Sequence, residues 1–320
     1  MKNYTIRRVF GLIPILILLS FLIFVMLDSA PGDPVLQLFG YNPDVRPEEI
    51  ARLREYYGLD QPMPVRYWKW MSKILSGSFG TSNAFHMPVT ELMKQRIPRT
   101  LQLTVAALVL SLLIALPIGV YSALKPYSPL DYIATFFVFL GRSMPSFWFA
   151  LMTIIVFAIW LKWLPAAGVQ THQLTGWEGL MDRLKHTILP LSVLTFLQVT
   201  AWVRYIRASL LEVVKSDFVR TARAKGLSER RVILKHALRN AMIPIITIIA
   251  LDLPHLFGGT VIIEQVFAYP GMGRLIFEAI VSKDMNLAMG CLILLAFLTV
   301  VASLLADIAY ALVDPRVRFD

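Results

Sequence analysis

Two ionisable residues, Asp252 and His255, lie one helical turn apart within a long apolar stretch. Ionisable groups inside a membrane commonly mark ion or proton pathways, so this pair is a candidate transport site. A structural hydrogen bond explains the pair equally well. The remaining histidines considered as ligands lack metal-ligand spacing, and no metal site is predicted. They are His86, His172 and His186.

The chain lacks the sequence motifs of the common enzyme classes. It has no Gly-x-x-x-x-Gly-Lys-Ser/Thr loop, which would hold ATP phosphates, so an ATP-driven process needs a separate ATPase. It also has neither a Gly-x-Ser-x-Gly nor a His-Glu-x-x-His motif, so a hydrolase is not indicated. We therefore predict a transport component with no catalytic residue and no cofactor of its own.

The composition indicates a membrane protein. The 320 residues are 57% hydrophobic and 16% charged, and the mean hydropathy is +0.62. A soluble domain is usually about half apolar and about a quarter charged. Six stretches reach the length of about 20 apolar residues that a helix needs to cross a bilayer. These are 9–28, 100–123, 134–161, 187–206, 241–263 and 287–313.

Loop charges predict how these six transmembrane helices are oriented. The segment 204–239 carries ten Lys and Arg residues against three acidic residues, whereas the loops on either side of its two flanking spans are poor in positive charge. Because short positively charged loops stay inside the cell, this segment and both termini are expected to be cytoplasmic. Lys2, Arg7, Arg8, Arg316 and Arg318 agree with that placement.

The segment after the first span is predicted to form an extracytoplasmic cap. Pro47 begins a short helix that Gly58 ends. A second helix places Tyr67 and Trp70 on one face, which is expected to pack on the cap or at the membrane interface. The predicted parts are 1–28 (N-terminus and first helix), 29–97 (cap segment), 98–313 (five-helix core) and 314–320 (cytoplasmic tail).

A cytoplasmic elbow, 209–240, follows from helix start and stop signals. Ser216 is expected to cap a short helix that begins at Asp217, and Gly226 is expected to end it in a left-handed conformation. Ser228 is then expected to cap a further helix that continues into the fifth span. The elbow should therefore protrude from the membrane.

This elbow resembles the signature of the membrane subunits of ABC importers: Glu-Ala-Ala, three residues, Gly, nine residues, then Ile-x-Leu-Pro. Arg220, Thr221 and Ala222 stand at the Glu-Ala-Ala positions, and Gly226 matches. The variant RTARAKG followed by HALRN is similar to the dipeptide, oligopeptide and nickel branch, specifically the first of its two permease subunits. Further similar residues span nearly the whole chain, among them Gly32, Asp33, Pro34, Gly77, Phe79, Gly80, Ser82, Glu264, Phe267, Tyr269, Pro270, Gly271, Gly273, Arg274, Asp307, Tyr310, Asp314, Pro315, Arg316 and Arg318.

The resemblance implies a type I ABC importer permease fold in a bacterial or archaeal plasma (inner) membrane. It implies a homologous second permease subunit, two cytoplasmic ABC ATPases that bind ATP and Mg, an extracytoplasmic peptide-binding protein and surrounding lipid as partners. It also implies that the elbow docks into an ATPase groove, with Val219 and Ala222 as an apolar face that enters it. The expected coupling residues are Asp217, Arg220, Thr221, Ala222, Arg223, Ala224 and Gly226.

Other interpretations stay open on the sequence alone. The positive-inside rule explains each of these arginines taken singly. Candidate pathway-lining residues, which helix packing also explains, are Ser143, Met144, Pro145, Asp252 and His255. Asp252, His255 and Asp307 also suit a self-sufficient secondary transporter, although no inverted repeat is evident. A nucleic-acid binder is disfavoured because spans flank the basic segment closely. Within the importer branch, the cargo could be nickel, glutathione or an oligosaccharide instead of a peptide.

Overall fold

The computed structural model describes residues 2–29, 46–56, 58–171 and 174–313. Within these ranges, the side chains of 2–9, 53, 56, 250–259, 307 and 309–313 are outside the description. Several residues used for the sequence predictions therefore lie outside the described residues. They are Gly32, Asp33, Pro34, His172 and the predicted tail 314–320.

The described residues form helices joined by loops. In chain order the α-helices are α1 (Lys2–Asp28), α2 (Pro47–Tyr56), α3 (Met63–Leu75), α4 (Val89–Leu124), α5 (Pro129–Ser143), α6 (Ser146–Thr153), α7 (Gly176–Val214), α8 (Asp217–Ala224), α9 (Glu229–Arg231), α10 (Leu238–Val266), α11 (Met272–Val281) and α12 (Met285–Val313). Two π-helical stretches, Ile154–Trp160 and Val232–Ala237, extend α6 and join α9 to α10.

Five of the described helical segments are long and apolar enough to cross a membrane, and the bent pair formed by α5 and α6 makes a sixth. The all-α architecture with six spans is therefore confirmed. The helices α4 and α7 extend beyond the predicted spans 100–123 and 187–206, since they continue into the segments that flank the apolar stretches.

The cap helix α3 packs through its aromatic face on the first span, a partner that the sequence did not identify. The Tyr67 ring meets those of Phe21 and Phe24 edge-on at centroid distances of 5.2 and 5.6 Å. Its hydroxyl hydrogen-bonds with that of Ser20 at 2.8 Å. Trp70 also lies beside Phe24, with ring centroids 5.9 Å apart. The aromatic face thus fixes the cap helix along α1.

The second span begins inside the predicted cap segment, because α4 starts at Val89 and not near residue 100. Val89 is fully buried and packs with Leu275 of α11 and Leu287 of α12. The loop before α4 is also tied to α12, since Ser82 donates a 2.5 Å hydrogen bond to Asp284. We call this end of the bundle the cap end, and the opposite end the elbow end.

Close packing of α4 against α7 forms the centre of the bundle. A Cβ atom on Gly119 of α4 would lie 2.7 Å from Ile206 Cγ2 of α7, so the absent side chain lets the two helices approach. Ile206 is fully buried, beside Trp202 and Val203. Ser111 of α4 adds a 2.9 Å hydrogen bond to Gln198 of α7. This helix pair supports the functional elements at both ends.

Candidate functional site

The elbow is a short helix, a tight turn and a second helical segment. Gly226 has a φ of +72°, the left-handed conformation predicted for it, and no other group lies within 4 Å of the position of an added Cβ. Ser216 and Ser228 occupy the N-cap positions, but neither side chain caps its helix. The capping prediction is therefore wrong. The Ser216 hydroxyl instead donates a 2.5 Å hydrogen bond back to the carbonyl of Val213.

The apolar face of α8 is buried within this chain. Val219 is fully buried and Ala222 is 5% exposed. They pack with fully buried Leu210 of α7 and with Val232 and Ala237 of the π-helical stretch after α9. The expectation that Val219 and Ala222 enter a partner groove is thus corrected, because burial in their own bundle occupies this face. Their side chains instead connect α8 to the membrane helices.

The remaining surface of α8 is exposed and carries most of the predicted coupling residues. Phe218 has 46% of its surface exposed, although it is a large apolar side chain. Asp217 and Arg220 form an exposed ion pair at 3.4 Å, which holds neither side chain firmly. We call the exposed residues Asp217, Phe218, Arg220, Thr221 and Ala224 the elbow face. Sequence analysis missed Phe218. The signal that could have found it is a large apolar residue directly before Val219 of the predicted apolar face.

Arg223 closes the elbow. Its Nη2 atom donates a 2.7 Å hydrogen bond to Glu229 Oε1, and its Nε atom donates one of 3.1 Å to Oε2 of the same carboxylate. The pair bridges the turn at Gly226, from the last turn of α8 to the start of α9. Both side chains are substantially exposed, at 39% and 56%, so the pair contributes orientation more than stability.

A second ion pair at the elbow end joins α5 to α7. Arg207 Nε and Nη2 donate hydrogen bonds of 2.9 Å each to the two carboxylate oxygens of Asp131. The Asp131 carboxylate also accepts one of 2.9 Å from Tyr127 N. Only 4% of the Asp131 side chain is exposed. This two-point contact connects the helix that precedes the elbow to the third span, and sequence analysis had not paired these distant residues.

The third span is broken where Met144 and Pro145 separate α5 from α6, and its two halves differ in direction by 109°. Gly141 lies against α7, because a Cβ there would stand 2.6 Å from Thr200 Cγ2. Ser143 and Pro145 are exposed, and Met144 is half-buried. These three candidate pathway residues thus lie together on an accessible corner.

The other candidate pathway residues belong to α10. Asp252 and His255 lie on this helix, and their side chains are outside the described part. Among the described residues, no group of three His, Cys, Asp or Glu side chains could hold a metal ion. Cys291 is fully buried.

A buried carboxylate joins three helices at the cap end. Glu264 of α10 is fully buried and accepts hydrogen bonds of 2.6 Å from Thr100 Oγ1 and 3.1 Å from Arg274 N. Thr100 in turn accepts a 2.7 Å hydrogen bond from Met272 N. A Cβ on Gly271 would overlap the Glu264 carboxylate. These residues form what we call the polar clamp, and Glu264, Gly271 and Arg274 are among those that resemble the importer branch.

Comparison with known proteins agrees with this arrangement. Residues 115–319 match the family described as "Binding-protein-dependent transport system inner membrane component". Residues 1–104 match the N-terminal family described as "Binding-prot-dependent transport system membrane comp, N-term". Together the two families account for nearly the whole chain.

Relatives of the same length are found among permeases. The chain is 42% identical over 320 residues to the oligopeptide transport system permease protein AppB of Bacillus subtilis, covering 100% of both chains. It is 38% identical over 319 residues to a putative peptide permease protein of Brucella suis, covering 99% of both. It is 34% identical over 319 residues to the glutathione transport system permease protein GsiC of Salmonella paratyphi A, covering 100% of both.

Solved structures share the fold at much lower identity. An inward-facing structure of the MetNI methionine ABC transporter aligns with a TM-score of 0.55 and 18% identity, covering 70% of this chain and 96% of that one. This likeness supports the type I importer architecture. The chain belongs to the family of inner-membrane permease subunits of binding-protein-dependent ABC importers.

Proposed function

We propose that this permease subunit forms half of the translocation pathway of an ATP-driven importer for oligopeptides or dipeptides. Full-length identity of 42% to an oligopeptide permease is the observation that carries the cargo assignment. Family membership favours an importer over the self-sufficient secondary transporter that Asp252 and His255 had left open.

The elbow face is the proposed contact with a cytoplasmic ATPase. Phe218 supplies an exposed apolar anchor, and Arg220 and Thr221 surround it with polar groups. An exposed aromatic side chain within a polar rim is the usual composition of a protein interface. The buried Val219 and Ala222 would then transmit a displacement of α8 to α7 and α10. In this arrangement one side of α8 receives the force and the other passes it on.

A permease of this family works with a further permease and an ATPase. We propose that the complex contains one homologous second permease and two ATPases, which bind ATP and Mg on behalf of this chain. An extracytoplasmic binding protein would deliver the peptide at the cap end. Both termini and the elbow would then face the cytoplasm of a bacterial or archaeal cell.

The broken third span is the proposed pathway wall. Ser143, Met144 and Pro145 lie at the corner between α5 and α6, where irregular backbone requires polar surroundings or protein contacts. A lipid-facing position would leave backbone groups at the corner without partners. We place Asp252 and His255 of α10 on the same pathway.

Glutathione is a second candidate cargo, since a glutathione permease is 34% identical over the full length. The deciding experiment reconstitutes the complete complex in proteoliposomes with its binding protein. Uptake of labelled dipeptides, longer peptides and glutathione is measured with and without ATP on the ATPase side. ATP-dependent peptide uptake is expected. Uptake of glutathione alone, or of neither class, would contradict the peptide assignment.

A further inference from the structure

Arg142 is a charged residue placed inside the third span. It lies on the last turn of α5, just before Met144 and Pro145. The neighbouring Gly141 packs against Thr200 and Phe196, well inside α7 (Gly176–Val214). Thr200 lies inside the predicted span 187–206, about one helical turn before Arg204, so the corner lies within the apolar part of the bundle. The Arg142 side chain is exposed on the surface of this subunit.

Within the described part of the chain, Arg142 forms no hydrogen bond or ion pair, unlike Arg207 of α7 and Arg274 of α11. Arg207 is held by Asp131, and Arg274 is held by Glu278 at 2.6 Å. A guanidinium within a span is costly against lipid, which favours a water-filled path or an anionic partner as its surroundings.

We propose that Arg142 binds the carboxylate of the transported peptide as the peptide passes the corner of the third span. A guanidinium matches a carboxylate with two parallel hydrogen bonds. The C-terminal carboxylate is common to peptides of different sequence, so a single arginine serves many cargoes. Ser143 next to it is exposed and offers a hydroxyl group to the same ligand. This inference rests on the proposed peptide import.

The test compares two forms of one peptide in the reconstituted complex, with a free or an amidated C-terminus. For each form, initial uptake by Arg142→Gln is divided by uptake of the wild type, so that any preference of the binding protein cancels. Loss of a charge-assisted hydrogen bond should lower this ratio about tenfold or more for the free acid. For the amidated peptide, the ratio of mutant to wild-type uptake should fall less than about threefold.

Arg204→Gln is the matched control. Arg204 is an exposed arginine of another membrane helix, α7, and lies over the Tyr205 ring at 5.3 Å. Its removal should change uptake of both peptide forms by the same factor. If Arg204→Gln were as selective against the free acid as Arg142→Gln, the effect would be one of general charge, and the assignment to Arg142 would be wrong.

A second measurement restores the charge chemically. Arg142→Cys is treated with a cationic aminoethyl thiol reagent or with a neutral methyl thiol reagent, and the native Cys291 is fully buried. The cationic product should regain uptake of the free acid, and the neutral product should not. Equal recovery with both reagents would overturn a role for the charge.

Two rival partners predict different results. If Arg142 pairs with a carboxylate of the second permease or with Asp252, Arg142→Gln reduces uptake of both peptide forms equally. In the Asp252 case, adding Asp252→Asn also restores uptake of both. Either result overturns the proposal while leaving peptide import intact. Failure of the proposed function is distinct, because the wild-type complex would then import neither peptide.

Discussion

Thr100 and Glu264 hold two membrane helices together at the cap end. The Thr100 hydroxyl donates to the fully buried Glu264 carboxylate at 2.6 Å and accepts from Met272 N at 2.7 Å. One hydroxyl thus satisfies a buried acceptor on α10 and a backbone donor at the start of α11. Because buried polar groups without partners are destabilising, these residues depend on one another.

The polar clamp predicts that Gly271→Ala destabilises the protein. The added methyl group overlaps the Glu264 carboxylate, and overpacking of this kind costs about 1–3 kcal/mol. Thermal unfolding in detergent measures the loss. In a Glu264→Ala background the same substitution should cost clearly less, since its obstacle is gone. Gly11→Ala, with no group within 4 Å, is the control. If Gly271→Ala destabilised the wild type and the Glu264→Ala variant equally, the added methyl group would not be in contact with Glu264.

Gly226→Val is expected to uncouple ATP hydrolysis from transport while leaving the spans inserted. A side chain in the left-handed conformation costs about 1–2 kcal/mol, and β-branching adds to that. Gly226→Asn should retain more function, because asparagine tolerates this conformation. Peptide uptake and substrate-stimulated ATP hydrolysis are measured in the reconstituted complex.

Gly77→Val is the control for this strain. Gly77 has a φ of +84°, and no other group lies within 4 Å of an added Cβ, but it belongs to the cap. Gly77→Val should therefore leave ATPase binding unchanged. If Gly226→Val transported peptide at the wild-type rate with normal substrate stimulation of ATP hydrolysis, the segment would not be the coupling elbow.

The two faces of α8 should respond differently to substitution. Val219→Ala removes two buried methyl groups and should lower stability by about 2 kcal/mol. Phe218→Ala changes an exposed side chain and should alter stability by less than about 0.5 kcal/mol, yet weaken ATPase binding about tenfold. Thermal unfolding and ATPase co-purification separate the effects. Undiminished ATPase binding by Phe218→Ala would remove Phe218 from the interface.

Arg207→Gln should destabilise the elbow end strongly. It leaves the buried Asp131 carboxylate without its cation, and breaking a buried pair in this way costs about 3 kcal/mol. Glu278→Gln breaks a more exposed pair with Arg274 and should cost less than about 1 kcal/mol. Unfolding of both variants is compared in the same detergent. A similar small loss in both would show that the Asp131 pair is no more than a surface contact.

Orientation is tested by thiol labelling in intact cells. Thr175→Cys and Ser78→Cys should react with an impermeant reagent, and Ser228→Cys should not, since the basic elbow is expected inside. All three positions are exposed, whereas Ser82 is 1% exposed and therefore unsuitable. Cys291 is buried and does not interfere. Labelling of the Ser228→Cys variant from outside would reverse the topology.

Local patterns in the sequence were sufficient for the spans and for the elbow turn. Apolar length determines which helices can cross a bilayer, and the left-handed turn at Gly226 follows from the absence of a side chain. Pro145 lies at the break in the third span, whereas Pro117 and Pro190 lie inside unbroken helices, so a proline alone does not locate a break. The aromatic face of Tyr67 and Trp70 likewise indicated a packed cap helix.

Only the tertiary structure decided which surfaces are free. Val219 and Ala222 formed an apolar face suitable for a partner, but α7 and the stretch after α9 bury it, and Phe218 is left exposed. The Asp131 to Arg207 pair joins residues 76 positions apart. Sequence patterns report local conformation, whereas contacts between distant segments arise from helix packing, and this packing assigns each residue its partner.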